Sequence, residues 1–303
     1  MSITLHQINK QIVKAIPLPE EDNRPIRGFD ICEEVYANIF FCAKKKSGKT
    51  SALFKLVKEC AGKDTVIIAF CSTLFKDKNW IAIRKYFEKK KRDFRGYTSI
   101  YEDGEDQLDK LINELSEEAR EKEIEEENKD EPHEKSSSER CDDIFEQLKR
   151  YNDHLGNFLE HHQGGGEVVE PEKKKKRDKY LSPEYIIILD DLSNELKSPS
   201  LLRLLKFNRH FKTKIIISSQ WLHDLLPESR KQLDLFVIFR GFPIPKLKEI
   251  YKDADLSISF ELFYKLYRKA TKKRFNFLYI DTISGQFRRN YDQQFIFHEK
   301  EEY

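Results

Sequence analysis

Residues 43–50 read A-K-K-K-S-G-K-T, directly after the apolar run N-I-F-F-C at 38–42. The last three, Gly48, Lys49 and Thr50, close the pattern G-x-x-x-x-G-K-[ST], a loop whose backbone N–H groups cradle phosphate at a helix N-terminus. Its first glycine is here Ala43. If that position needs positive φ, the added methyl costs about 1–2 kcal/mol, small against a tightly held triphosphate. Lys44, Lys45 and Lys46 would also suit a solvated basic turn, so the flanking segments decide. After Thr50, apolar residues at Ala52, Leu53, Leu56, Val57 and Cys60 follow a 3.6-residue period, and Gly62 is placed to end the helix. Strand, loop, helix is the order a phosphate loop requires. The binding segment is therefore Ala43, Lys44, Lys45, Lys46, Ser47, Gly48, Lys49, Thr50 and Ser51, with Lys49 on the outer phosphates of ATP and the Thr50 hydroxyl on Mg²⁺.

Four further runs resemble 38–42: T-V-I-I-A-F-C (65–71), Y-I-I-I-L (185–189), K-I-I-I (214–217) and L-F-V-I-F (235–239). Continuous apolar runs of this length suit strands buried on both faces, as in a parallel sheet covered by helices. Pro199 opens a helical pattern through Leu201, Leu202, Leu204 and Leu205, directly before the strand at 214, which makes a βαβ unit. F-N-F-L-Y-I-D (275–281) and Q-F-R-R-N-Y (286–291) flank Ser284-Gly285 and read as a β-hairpin closing the sheet. The fold expected is α/β, a phosphate-loop NTPase core with a mostly parallel sheet covered by helices. Residues 36–104 and 180–303 form that core, after an N-terminal segment at 1–35. Residues 105–179 are dense in Glu and Lys, and like-charge blocks of low hydrophobicity do not offset the entropy of ordering, so this stretch reads as a charged insertion, helical or disordered.

Three strand ends carry chemistry. Y-I-I-I-L-D-D (185–191) ends in paired carboxylates, which read as Asp190 on the metal and Asp191 polarising the attacking water. K-I-I-I-S-S-Q (214–220) places Gln220 within reach of a γ-phosphate if its strand neighbours that of Asp190. Arg230 and Arg240 are both able to neutralise charge on a transferred phosphoryl group; Arg230 is preferred. Lys272, Lys273, Arg274, Arg288 and Arg289 are the candidates for contacts to a nucleic-acid backbone. His161, His162 and the tract Lys173–Arg177 read as solvated linker.

Composition limits the rest. With 55 basic and 53 acidic residues among 303, overall charge offers no argument for nucleic acid, so any such surface is local. Five cysteines without a C-x-x-C pair read as reduced thiols rather than zinc ligands or disulfides. The absence of an apolar leader or a stretch approaching a membrane span leads to the expectation of a soluble intracellular protein.

The ordered set A-K-K-K-S-G-K-T, I-I-I-L-D-D-L, N-R-H-F-K-T-K-I-I-I-S-S-Q (208–220) and L-P-E-S-R-K-Q-L-D (226–234), followed by F-V-I-F-R, resembles the poxvirus-type DNA-packaging ATPases of large DNA viruses and virophages, within the FtsK/HerA superfamily. The first two motifs are generic to phosphate-loop NTPases; R-H before the S-S-Q strand and then L-P-x-x-R are more specific. The resemblance implies a RecA-like core assembled as a homo-oligomeric ring that hydrolyses ATP to drive double-stranded viral DNA into a capsid, in contact with capsid or portal-vertex proteins, and located in host cytoplasm, in a viral factory or on the virion. By matching positions it implies phosphate and Mg²⁺ binding by Lys49 and Thr50, metal and hydrolytic roles for Asp190 and Asp191, γ-phosphate sensing by Gln220, and a trans-acting role for Arg230. Two positions depart from the pattern: Ala43, and Asp191 where many members place glutamate. Other readings share the core, namely a helicase or segregation motor, and an assembly protein that binds ATP without turnover.

Overall fold

Alternation within the apolar runs decides how the sheet is covered. In β1 (Asn38–Cys42), Phe40 and Cys42 join one buried cluster while Ile39 and Phe41 join another. The same split recurs in β2 (Val66–Cys71), β6 (Tyr185–Asp190), β7 (Thr213–Ser219) and β8 (Leu235–Phe239). Side chains alternate with period two, so a strand with no polar face needs cover on both sides. The structure, a computed structural model, describes residues 22–130 and 178–296.

One nine-stranded sheet has the order β11-β10-β9-β8-β1-β7-β6-β2-β3, completed by β3 (Phe94–Tyr97), β9 (Phe277–Asp281), β10 (Gln286–Arg289) and β11 (Gln293–Gln294). From β8 to β3 every pairing is parallel; β9, β10 and β11 add on antiparallel. The expected hairpin is β9–β10, and its first strand begins at Phe277 because Phe275 sits at φ 69° and cannot continue a strand. A small separate pair, β4 (Tyr101–Glu102) and β5 (Glu105–Asp106), precedes α3 (Gln107–Asp130). The core is the expected α/β phosphate-loop NTPase fold, with β7 inserted between β1 and β6.

Helices α1 (Lys49–Cys60) and α2 (Lys78–Lys89) cover one face through Leu53, Leu56, Val57, Trp80, Ile83 and Phe87. The other face takes α3, α4 (Pro199–Lys206), α6 (Ile244–Asp253) and α7 (Phe260–Ala270), while α5 (Pro227–Arg230) is a single turn. Helix α4 starts as its sequence predicts, with Pro199 at the first position and the Ser198 hydroxyl accepting from Ser200 N at 3.1 Å. No helix of the described residues is long and apolar enough to cross a membrane.

Two expectations about the flanks change. The charged insertion does not begin at 105: Leu108, Leu111, Ile112 and Leu115 of α3 are buried in the core. Their i, i+3, i+4, i+7 spacing makes one apolar stripe, which the surrounding charges hide when composition alone is weighed. Residues 131–177, with His161, His162, Cys141 and the Lys173–Arg177 tract, lie outside the described residues. Part of the N-terminal segment also belongs to the core. Ile31 and Cys32 are buried, and the Lys214 ammonium of β7 reaches back to the Glu34 carbonyl at 2.6 Å and the Cys32 sulfur at 2.9 Å.

The placement of α3 is testable. Ile112→Ala is expected to lower the unfolding free energy by about 2–5 kcal/mol in urea, the cost of a buried large-to-small change. A loss below about 0.5 kcal/mol, typical of a surface site, would return residues 107–115 to the insertion.

Candidate nucleotide-binding site

The loop leaves β1 at Ala43 and enters α1 at Lys49. Ala43 is fully buried, its methyl packed in the α1-side cluster, and its N–H donates to Ser219 O at 3.0 Å. Left-handed backbone occurs in this loop at Lys46 (φ 60°) and Gly48 (φ 92°), not at Ala43. The steric cost considered for Ala43 therefore does not arise. Gly48 is demanded twice, by its φ and by space: a Cβ there would stand 3.1 Å from the ring of Phe275. No side chain caps α1 and its first turn holds no acid, whereas Asp77, Ser198 and Ser259 cap α2, α4 and α7. An uncapped N-terminus leaves backbone donors for an anion. The Ser47 hydroxyl is buried without a hydrogen-bond partner among the described residues, a further donor at the same place.

Opposite the loop stands Asp190, whose side chain is 5% exposed. In β6, Ile186 and Ile188 point to the α1–α2 side, and period two sends Asp190 the same way. Its Oδ1 accepts from Lys49 Nζ at 2.8 Å and its Oδ2 from Trp80 Nε1 at 3.0 Å. Sequence reasoning missed Trp80, because a tryptophan on an apolar helical stripe reads as core and nothing in K-N-W-I-A-I-R marks its N–H as a ligand. Asp191 turns into the left-handed region (φ 57°), keeps its carboxylate 39% exposed, and stands 4.0 Å from Lys49 Nζ.

Strand β7 runs between the two halves. Its neighbours are β1 and β6, so Gln220 follows the carboxyl edge between the phosphate loop and the aspartates. The Gln220 side chain is half-buried and makes no hydrogen bond with the described residues; its carbonyl accepts from Lys246 Nζ at 3.4 Å. Lys246 also lies over the Trp221 ring at 3.4 Å, and Ser219 Oγ donates to Asp224. The thiols nearby are held protonated. Burial pushes Cys42 up to about 12, and burial first, then the Asp190 charge against a Thr73 hydrogen bond, raises Cys71. Neither serves as a nucleophile at neutral pH.

The arginines separate. Arg230 is 14% exposed, donating from Nε to Leu225 O at 3.0 Å and pairing with Asp253 at 3.3 Å. Arg240 is exposed at the end of β8, beside Gly241, which borders the Lys44 side chain. Lys272, Lys273 and Arg274 are exposed, whereas Arg288 is buried, donating to Asp30 O at 2.9 Å and paired with Glu33. Arg288 is therefore removed from the candidate nucleic-acid contacts: β10 turns it toward the 30–33 segment. Arg289 is tied to Gln293.

These groups fit a magnesium-bound nucleotide. No cluster of three or more His, Cys, Asp or Glu among the described residues could hold a metal alone. Mg²⁺ is commonly bound through one or two carboxylates plus phosphate oxygens, and the hard oxygens of Thr50 and Asp190 suit it.

No protein-family model matches the chain, and no curated protein sequence matches it. Among solved structures it is similar to the genome packaging NTPase B204 from Sulfolobus turreted icosahedral virus 2 in complex with AMP, at 18% identity over 85% of this chain and 98% of that one, with a TM-score of 0.45. It is also similar to the cytoplasmic domain of the Thermomonospora curvata Type VII Secretion ATPase EccC (12% identity, 71% and 22% of the two chains, TM-score 0.33). A third is EssC (ATPases 2 and 3) from Geobacillus thermodenitrificans (13%, 73% and 40%, TM-score 0.37). The fold assignment rests on the strand order and the loop geometry above.

Because Ala43 is unstrained and packed, Ala43→Gly should not improve the loop. Its expected effect is a loss of about 1–2 kcal/mol in stability, from the buried methyl and the freer backbone, with ADP affinity within about threefold of wild type by calorimetry. A tenfold gain in affinity would show that the methyl obstructs the phosphates.

Proposed function

We propose that the chain is an ATP-hydrolysing motor that translocates double-stranded DNA, in the manner of the viral genome-packaging ATPases its motifs resemble. The observation that carries the enzymatic half is the 2.8 Å contact between Lys49 of the loop and the buried Asp190 across the sheet edge. A cation and a carboxylate held this close, beside an uncapped helix N-terminus, provide the parts of a Mg²⁺–triphosphate site.

In this reading Lys49 would meet the β- and γ-phosphates in place of Asp190, and Asp190 and Thr50 would hold Mg²⁺, with Asp190 keeping its hydrogen bond from Trp80. Mg²⁺ would neutralise charge on the phosphate oxygens. Asp191, exposed and turned out of the strand, accepts a proton from water, and Gln220 lies where a γ-phosphate or that water can be sensed. Arg230 enters as a charge-neutralising group of a neighbouring subunit only by exchanging Asp253 for phosphate.

The DNA half has narrower support. It rests on the ordered R-H, S-S-Q and L-P-x-x-R motifs, and on the exposed Lys272, Lys273 and Arg274 in the turn between α7 and β9, which suit phosphate-backbone contacts. The ring and the capsid or portal partner follow from the same resemblance.

The test is ATP turnover with and without double-stranded DNA. The expected result is DNA-stimulated turnover that falls by about a hundredfold or more in Lys49→Ala and in Asp190→Ala. Nucleotide binding without turnover at any DNA concentration would overturn the motor in favour of an assembly role.

A further inference from the structure

Beside the phosphate loop, on the side away from Asp190, an open cleft of about 570 Å³ runs between the start of α1 and the β9–β10 hairpin. Its near wall is Gly48, Ser51 and Ala52; its far wall is Phe275, Phe277, Asn290 and Tyr291. Phe277 and Tyr291 pack edge to face at 5.0 Å and make an apolar floor. Phe275 is held out over this floor at φ 69°, an unusual backbone for a bulky side chain, with 55% of its surface open. It touches the Gly48 side of the loop and carries Arg274 over its ring at 4.7 Å. An aromatic ring presented to solvent on strained backbone, in contact with the loop glycine, calls for a ligand group to cover it.

We infer that this cleft holds the base of the bound nucleoside triphosphate by stacking on Phe275, and that it takes adenine and guanine alike. The inference rests on reading 43–50 as a phosphate loop. With phosphates at Gly48–Thr50 and the carboxylates on one side, the rest of the nucleotide leaves past Ser51, into the cleft. Selectivity between purines needs directed hydrogen bonds, and the cleft has few to offer. Asn290 uses its Oδ1 on Phe277 N at 3.2 Å and its Nδ2 on Asn276 at 3.4 Å. The Tyr291 hydroxyl donates to Ala52 O at 3.1 Å, and Lys55 is paired with Glu59. Asp292 is exposed and has no partner among the described residues, but a carboxylate only accepts. Guanine's N1–H and 2-amino group suit it better than the single 6-amino donor of adenine, but a solvent-exposed carboxylate trades such bonds against water and gains little from either base. What remains is stacking, which every base provides.

The test measures binding of Mg·ADP, Mg·GDP and pyrophosphate to the full chain by calorimetry. In wild type, ADP and GDP should bind within about threefold of each other. Phe275→Ala and Phe275→Leu should weaken both nucleotides about tenfold or more while leaving pyrophosphate within about twofold, and Phe275→Tyr should restore nucleotide affinity. The leucine keeps bulk against Gly48 without a π-face, so it separates stacking from support of the loop. Equal losses for pyrophosphate and nucleotides would make Phe275 a prop for Gly48, and unchanged nucleotide affinity would empty the cleft; either overturns the inference. A preference above about tenfold between ADP and GDP overturns its claim of indifference. If pyrophosphate and nucleotides all fail to bind wild type, the phosphate-loop reading itself is wrong, a result distinct from the others.

Discussion

A carboxylate that is 5% exposed must be met by partners, because stripping water from a charge costs several kcal/mol that only close, well-directed contacts offset. Asp190 has two, the Lys49 ammonium and the Trp80 indole N–H, one on each oxygen. Those three residues sit on β6, α1 and α2. The pairing therefore sets how the first two helices lie against the sheet edge, and it holds Lys49 at the mouth of the loop. Removing one partner would leave the other charge stranded, so the parts of the site depend on one another.

Strand β7 supplies a second constraint. Its last carbonyls serve both halves of the site: Ser219 O accepts from Ala43 N at 3.0 Å, and Ser218 O from Asp191 N at 3.1 Å. The small serines at this edge, both buried, leave room for loop and carboxylates on either side. Both halves of the site are thus hydrogen-bonded to the same strand end. Gln220, one residue beyond, and its carbonyl contact with Lys246 extend that link toward α6.

The parallel core was legible because its strands are covered on both faces and so read as unbroken apolar runs; 38–42 and 235–239 are strands over those very residues. β3, F-R-G-Y at the sheet edge, has no buried residue, so no pattern marks it. Helix α3 was hidden by composition: four buried side chains among many charges decide its packing. The position of the 43–50 loop, between the end of β1 and the start of α1, could be read from sequence. Trp80, Phe275 and the Arg288–Glu33 pair could not, since each depends on which segment lies opposite in space. The concern over Ala43 came from a generic pattern, and the positive φ turned out to belong to Lys46 and Gly48.

Under the proposed function, the Lys49–Asp190–Trp80 contact is the resting form of a Mg²⁺–nucleotide site. The chain has two tryptophans: Trp80, buried on Asp190, and Trp221, 41% exposed. The most direct measurement is the intrinsic fluorescence of Trp221→Phe, in which only Trp80 emits, during titration with Mg·ADP. A saturable change in emission, absent from Trp80→Phe under the same conditions, is the result expected. No change in Trp221→Phe, or an equal change in Trp80→Phe, would contradict it.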